Sequence, residues 1–210
     1  MRRNSLMSGK VIDMTEELRK HIEMKNCNLC PLRDNRMNVV QGIGNVLSPV
    51  MIVGEAPGED EDVLGMPFVG RSGKVLAKGL NNINITRREV YVTNACKCRP
   101  KGNRNPELSE LKACAPWLRR EIEQIKPKLI VTLGAVATGV FIKCPSVGAM
   151  RGRIINLKVN EQPVSLLVTY HPSYILRNRA QLPVFERDIS LILSFMEDKN
   201  NENQDDQDFT

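Results

Sequence analysis

The chain has only two histidines, His21 and His171, among 210 residues. Any mechanism that needs a histidine pair must use both. Aromatic residues are scarce too, with one Trp, three Tyr and five Phe. That is too few for an extended stacking platform of the kind that holds single-stranded nucleic acid. No apolar run approaches the ~20 residues of a membrane-spanning helix, so no membrane partner is expected. The first ten residues carry charge with no apolar core behind them, which argues against a secretory signal. Six cysteines without such a signal point to a reducing compartment, the cytoplasm, where metal ligation or plain burial outranks disulfides.

What is present fits one soluble domain over residues 1–196, expected as a monomer, with chain enough for a substantial core. Thirty Lys and Arg against twenty-four Asp and Glu give a net charge of +6. Residues 197–210 hold six acids and one lysine, so the rest of the chain carries +11. An excess of that size suggests a polyanionic partner. The acidic tail, rich in Asn, Gln and Asp, is expected to be disordered.

Four short runs, 50–53 (VMIV), 90–93 (VYVT), 129–133 (LIVTL) and 165–169 (SLLVT), are apolar on consecutive residues and rich in β-branched types. This is the pattern of parallel strands buried on both faces. Helical patterns lie over 13–24, 72–81, 109–125, 135–142 and 183–196. Alternating strands and helices predict an α/β fold: a three-layer α/β/α sandwich around a mainly parallel four-stranded sheet. In such sheets ligands bind beyond the strand C-termini. Those ends carry GEAPG at 54–58, Asn94, Gly134 and HPS at 171–173, all placed on one rim by this reading.

Cys27 and Cys30 form a C-x2-C hook, and Cys98 and Cys114 are fifteen residues apart. Four thiolates satisfy either tetrahedral zinc or a cubane iron–sulfur cluster, and spacing does not choose between them. Cys96 and Cys144 are left over. The acidic stretch Glu55, Glu59, Asp60, Glu61 and Asp62 would repel a phosphate, so the turn at 54–58 is no phosphate cradle. A solvated loop and a metal site both remain open for it. His171 stands at a strand tip facing the same rim as Glu55 and Asn94, and Phe68 is one of few aromatics outside a core run.

Taken together in order, GEAPG (54–58), PFVG (67–70), VTN (92–94), KCRP (97–100), NRNP (103–106), LG (133–134) and HPS (171–173), with the four cysteines, resemble the family 4, iron–sulfur uracil-DNA glycosylases. The likeness runs from Cys27 to Asn178. A related branch that traps uracil covalently bears a basic histidine-containing insertion where this chain has KGNRNP (101–106); the chain therefore resembles the hydrolytic branch.

The resemblance implies a DNA repair enzyme that hydrolyses the N-glycosidic bond of uracil in DNA and leaves an abasic site. It implies that His171 donates a hydrogen bond to uracil O2, that Asn94 reads the base edge, that Phe68 stacks, and that Glu55 and Ala56 line the pocket. Better-known relatives position water with an aspartate where this chain has Ala56, so Glu55, Glu61 and Asn103 are the candidates for that task. Glu61 is also a candidate to fill the space beside uracil C5. Pro172, Ser173 and Arg177 would enter or clamp the minor groove, and Lys97, Arg99, Lys101 and Arg104 would contact phosphates. Cys27, Cys30, Cys98 and Cys114 would hold a structural 4Fe–4S cluster. The rival from another class is a non-catalytic, metal-stapled DNA-binding module, and a nucleotide-binding enzyme is disfavoured by the acidic turn.

Overall fold

A computed structural model of the chain describes residues 23–196. The helix expected over 13–24 lies almost wholly outside these residues, with 23–25 helical, and the acidic tail lies outside them too.

All four expected strands form: β2 (Val50–Gly54), β3 (Tyr91–Asn94), β4 (Leu129–Leu133) and β6 (Gln162–Thr169). They pair in parallel in the order β3-β2-β4-β6. The sheet has six strands rather than four, because β1 (Ile43–Gly44) and β5 (Ile154–Val159) add antiparallel edges on β3 and β6. β5 alternates exposed and half-buried residues, so it lacks the continuous apolar run that marks a strand buried on both sides.

Burial on both faces follows residue parity. Val50, Ile52, Leu129, Val131 and Leu167 pack with Leu76, Leu80, Phe185 and Ile189. Those partners belong to the helices Arg71–Asn81 and Leu182–Ser190. Met51, Val53, Ile130, Leu166 and Val168 pack on the opposite face with Leu118, Ile122, Ile125 and Ala137, from the helices Leu108–Ile125 and Gly134–Gly139. The three layers therefore arise from strands that alternate side chains between two cores. In chain order the helices are α1 (Glu59–Leu64), α2 (Arg71–Asn81), α3 (Leu108–Ile125), α4 (Gly134–Gly139), α5 (Val147–Met150), α6 (Pro172–Arg177) and α7 (Leu182–Ser190). The helix expected over 183–196 ends at Ser190; a turn at 191–192 precedes a further helical stretch at 193–196. Among the described residues no helix is long and apolar enough to cross a membrane.

Candidate active site

The C-terminal ends of the parallel strands open on a cleft of about 820 Å³, lined by Glu55, Phe68, Asn94, Gly134 and His171 among others. The rim expected from strand order is thus one continuous site. Close backbone approach makes it possible. Gly134 has φ +88°, and a β-carbon there would come within 3.1 Å of the His171 Cβ. Gly54 sits beside Asn94 in the β2–β3 register, where a β-carbon would overlap both the Asn94 amide and the Phe68 ring.

Asn94 is 2% exposed, and its Oδ1 is buried with no hydrogen-bond partner among the described residues. A buried carbonyl oxygen left unpaired is costly. Asn94 itself lines the ligand-sized cleft, and its unpaired oxygen packs where a Gly54 β-carbon would stand, beside the Phe68 ring. Phe68 is buried with φ +54°, a conformation bulky residues seldom adopt. Arg87 holds it there by donating to the Phe68 and Pro67 carbonyls, the latter at 2.6 Å. Gly73 leaves room for the Phe68 carbonyl, which any side chain at 73 would overlap. The Phe68 and His171 rings lie 6.1 Å apart between centroids, tilted by 37°.

His171 caps α6. Its Nδ1 accepts the Ser173 backbone N–H at 3.1 Å and lies 2.8 Å from the Ser173 hydroxyl. A nitrogen accepting an N–H carries no hydrogen, so the neutral ring keeps its hydrogen on Nε2 and is a donor there. Burial, and then the charge of Arg177, lower its pKa from 6.5 to about 4. The ring is therefore a neutral donor at physiological pH.

The three candidates for water positioning are not equivalent. Glu61 accepts the Gly58 N–H at 3.1 Å on one oxygen and the Gly70 N–H at 2.8 Å on the other. It brackets two loops of the cleft wall, and its carboxylate is already engaged. The Asn103 Oδ1 accepts from Arg99 Nε at 2.8 Å. The Glu55 carboxylate has no hydrogen-bond partner among the described residues, and burial raises its pKa.

The basic residues divide in the same way. Lys97 was expected on phosphate, and the structure overturns this: it is 1% exposed, its Nζ paired with Glu121 at 2.6 Å. A buried ammonium cannot reach a backbone phosphate. Arg104 forms a two-pronged pair with Glu110 at 2.6 and 2.9 Å, and Arg99 lies 3.5 Å from Glu59. Lys101 is exposed with no ion pair among the described residues, as is Arg177. Pro172 is buried in the first turn of α6, Ser173 is half-buried, and Arg177 is the exposed residue of that helix. Arg87 and Glu121 escaped the sequence reading. Glu121 left a signal: it interrupts the apolar stripe Leu118, Ile122 and Ile125 on α3, where a lone charge requires a buried partner.

Cys27, Cys30, Cys98 and Cys114 line one small apolar cavity with Leu32, Val39 and Trp117. Cys96 is buried beside them but does not line it. Three sulfurs accept N–H donors: Cys98 from Arg36 Nη1 at 3.3 Å, Cys114 from the Lys97 amide at 3.2 Å, and Cys27 from Trp117 Nε1 at 3.3 Å. Burial raises the Cys30 thiol and pushes Cys98 up to about 11, whereas a hydrogen bond with Cys96 lowers Cys114. As the side chains stand, no three His, Cys, Asp or Glu among the described residues close around a metal-sized point.

Residues 41–191 match the model of the uracil DNA glycosylase superfamily. The chain belongs to that superfamily. Within it, the type-4 uracil-DNA glycosylase of Thermotoga maritima is 45% identical over 75% of this chain and 81% of the relative. The type-4 uracil-DNA glycosylase of Saccharolobus solfataricus is 39% identical over 84% of this chain and 85% of the relative. A type-5 uracil-DNA glycosylase of Pyrobaculum aerophilum is 34% identical over 67% and 68%. The superfamily match begins after the cysteine hook and covers the whole cleft rim, from Gly54 to His171.

Proposed function

We propose that the chain is a monofunctional uracil-DNA glycosylase that hydrolyses the bond between uracil and deoxyribose, releasing uracil and leaving an abasic site. The observation that carries this reading is the buried, unpartnered Asn94 Oδ1 in one cleft with Phe68 and a neutral His171. Uracil's N3–H supplies the donor that Oδ1 lacks, while its O4 accepts from the Asn94 amide nitrogen. Cytosine presents the reverse pattern and leaves the amide mispaired. The base must leave the stack to enter, at a cost of a few kcal/mol, and Phe68 offers it a new stacking face.

As the glycosidic bond lengthens, negative charge builds on the uracil ring and positive charge on the sugar. The His171 Nε2–H supports the first charge at O2 without giving up its proton, since a neutral donor set in place beforehand stabilises an anion as it forms. Glu55, whose carboxylate has no hydrogen-bond partner among the described residues, orients the attacking water and faces the cationic sugar. Lys101 and Arg177 supply free positive charge for phosphates on the two sides of the cleft.

The cavity of Cys27, Cys30, Cys98 and Cys114 suits a 4Fe–4S cluster in its donor set: four thiols, apolar walls, and N–H groups aimed at sulfurs, which thiolate ligands accept. Such a group would join the hook to α3 and supply no redox step, because hydrolysis moves no electrons. The cysteine usage and this cluster suit a reducing, cytoplasmic setting, and the chain is read as acting as a monomer. The test is incubation with a uracil-containing oligonucleotide followed by alkali: strand cleavage at uracil and none at thymine or cytosine is expected. DNA binding without cleavage would support the metal-stapled binding module instead.

A further inference from the structure

Lys97 is fully buried, and each of its three ammonium hydrogens has an acceptor: Thr93 Oγ1 at 2.6 Å, the Asn94 carbonyl at 2.7 Å and Glu121 Oε2 at 2.6 Å. Glu121 is equally satisfied, taking the Thr93 hydroxyl at 2.9 Å on Oε2 and the Gly42 N–H at 3.0 Å on Oε1. Burying such a pair costs desolvation that apolar residues of similar size avoid, so stability alone is a weak reason for it. Its position supplies another.

We infer that Lys97 is the positioning residue for Asn94, fixing the carbonyl of the last residue of β3 and thereby aiming the amide that reads the base. Among the described residues the Asn94 Oδ1 has no hydrogen-bond partner, so no hydrogen bond to that oxygen aims the amide and its direction follows from the backbone. That backbone is held from the β2 side by register pairing with Gly54 and from beneath by the Lys97 ammonium. Lys97 also donates its own N–H to Cys114 Sγ at 3.2 Å. One residue therefore ties the base-reading amide to the cysteine-lined wall. A shift of that wall is transmitted to Asn94 through the Lys97 main chain and side chain together.

This inference rests on Asn94 contacting the base, and its test separates the two. The double variant K97M/E121Q removes both charges together. The side-chain amide it places at position 121 can still accept the Gly42 N–H and bond the Thr93 hydroxyl, so Thr93 and position 121 keep partners while the Asn94 carbonyl loses its ammonium donor. It is made in the metal-loaded full chain. Expected are wild-type affinity for abasic product DNA, an unchanged half-saturating substrate concentration, a maximal single-turnover rate at least tenfold lower, and a displaced Asn94 side-chain amide resonance. A wild-type maximal rate overturns the inference. Should the wild-type protein itself release no uracil, the functional reading fails, and the Asn94 resonance alone decides: unchanged, it overturns the positioning role. If the double variant does not fold, Thr93→Val, which removes one Nζ partner and keeps the ion pair, decides instead. A severalfold loss of maximal rate supports the inference, and a wild-type rate overturns it.

Discussion

Gly54 on β2 and Asn94 on β3 are register partners, and the missing side chain of one makes the space in which the amide of the other lies. The same space admits the Phe68 ring edge. Gly54→Ala therefore inserts a methyl group at the point where the Asn94 amide and the Phe68 ring meet. Uracil excision should fall by at least ~10², as expected when a reacting group is misplaced by about an ångström. Single-turnover rates at saturating enzyme, with product-DNA affinity as the control, check this. A wild-type rate would show that the amide and ring tolerate displacement.

His171 is held neutral by burial, with its pKa lowered from 6.5 to about 4. Excision should show no inflection near pH 6.5 from this group and should decline only as the pH nears 4, when protonation takes Nδ1 from the Ser173 N–H. Stability follows the same group. Between about pH 6.5 and 4 the unfolded chain binds a proton that the folded state refuses, so folding weakens as pH falls through that window. His171→Ala should lower excision by ~10²–10³ and remove that component of the acid dependence. An inflection near 6.5 that vanishes in His171→Ala would refute the neutral-donor role.

The four central strands and the common rim could be read from the sequence because strands buried on both faces leave unbroken apolar runs. β5 could not, since its exposed residues dilute the pattern. The placing of His171 and Asn94 on one rim was legible through motifs at strand ends, and that of Phe68 through the PFVG motif in the loop between α1 and α2. The supports of these residues were not. The left-handed Phe68 depends on Arg87, nineteen residues downstream, and no local signal links them. The resemblance implied a phosphate contact for Lys97, and lysine is seldom fully buried unless paired, so nothing local signalled its burial. Only the fold brings Glu121, from the apolar stripe of α3, against it.

Arg87 also permits a direct test of the Phe68 backbone. Its guanidinium spans two adjacent carbonyls, a geometry that lysine's single ammonium cannot reproduce. Arg87→Lys should allow Phe68 to relax from φ +54° and weaken stacking of the flipped base. We expect a loss of about 1–2 kcal/mol in the barrier, the scale of one base–aromatic contact, with little change in overall DNA affinity. Rates on uracil-containing duplex, compared with abasic-product binding, separate these effects. Equal losses in both would place Arg87 on the DNA surface.

Four of the six cysteines line one cavity, and the proposed cluster would sit on those four. Cys98→Ala and Cys114→Ala should lose iron and destabilise the protein. Cys96→Ala and Cys144→Ala should retain it, since neither side chain lines the cavity. Iron and sulfide analysis of the four purified variants, with absorbance near ~400 nm for a cubane cluster, is the check. Loss of metal in Cys96→Ala alone would move the third ligand to position 96.

The sharpest prediction concerns the unpaired oxygen. Asn94→Asp leaves the size and the strand position unchanged, but it puts a carboxylate where the structure holds a buried, partnerless carbonyl oxygen. The donor to uracil O4 is lost, and the anion forming on the base meets a negative charge in a site with little water. Uracil excision should slow by about 2–4 kcal/mol in the barrier, the range for disrupting a preorganised electrostatic contact. A carboxylate can accept from the cytosine amino group, so slow cytosine release is expected where the wild-type protein shows none. Affinity for abasic product should barely change, because phosphate contacts supply most of it. Parallel single-turnover measurements on uracil- and cytosine-containing strands test the reading role. Unchanged uracil excision together with weakened product binding would place Asn94 on the DNA-contact surface and remove it from the pocket.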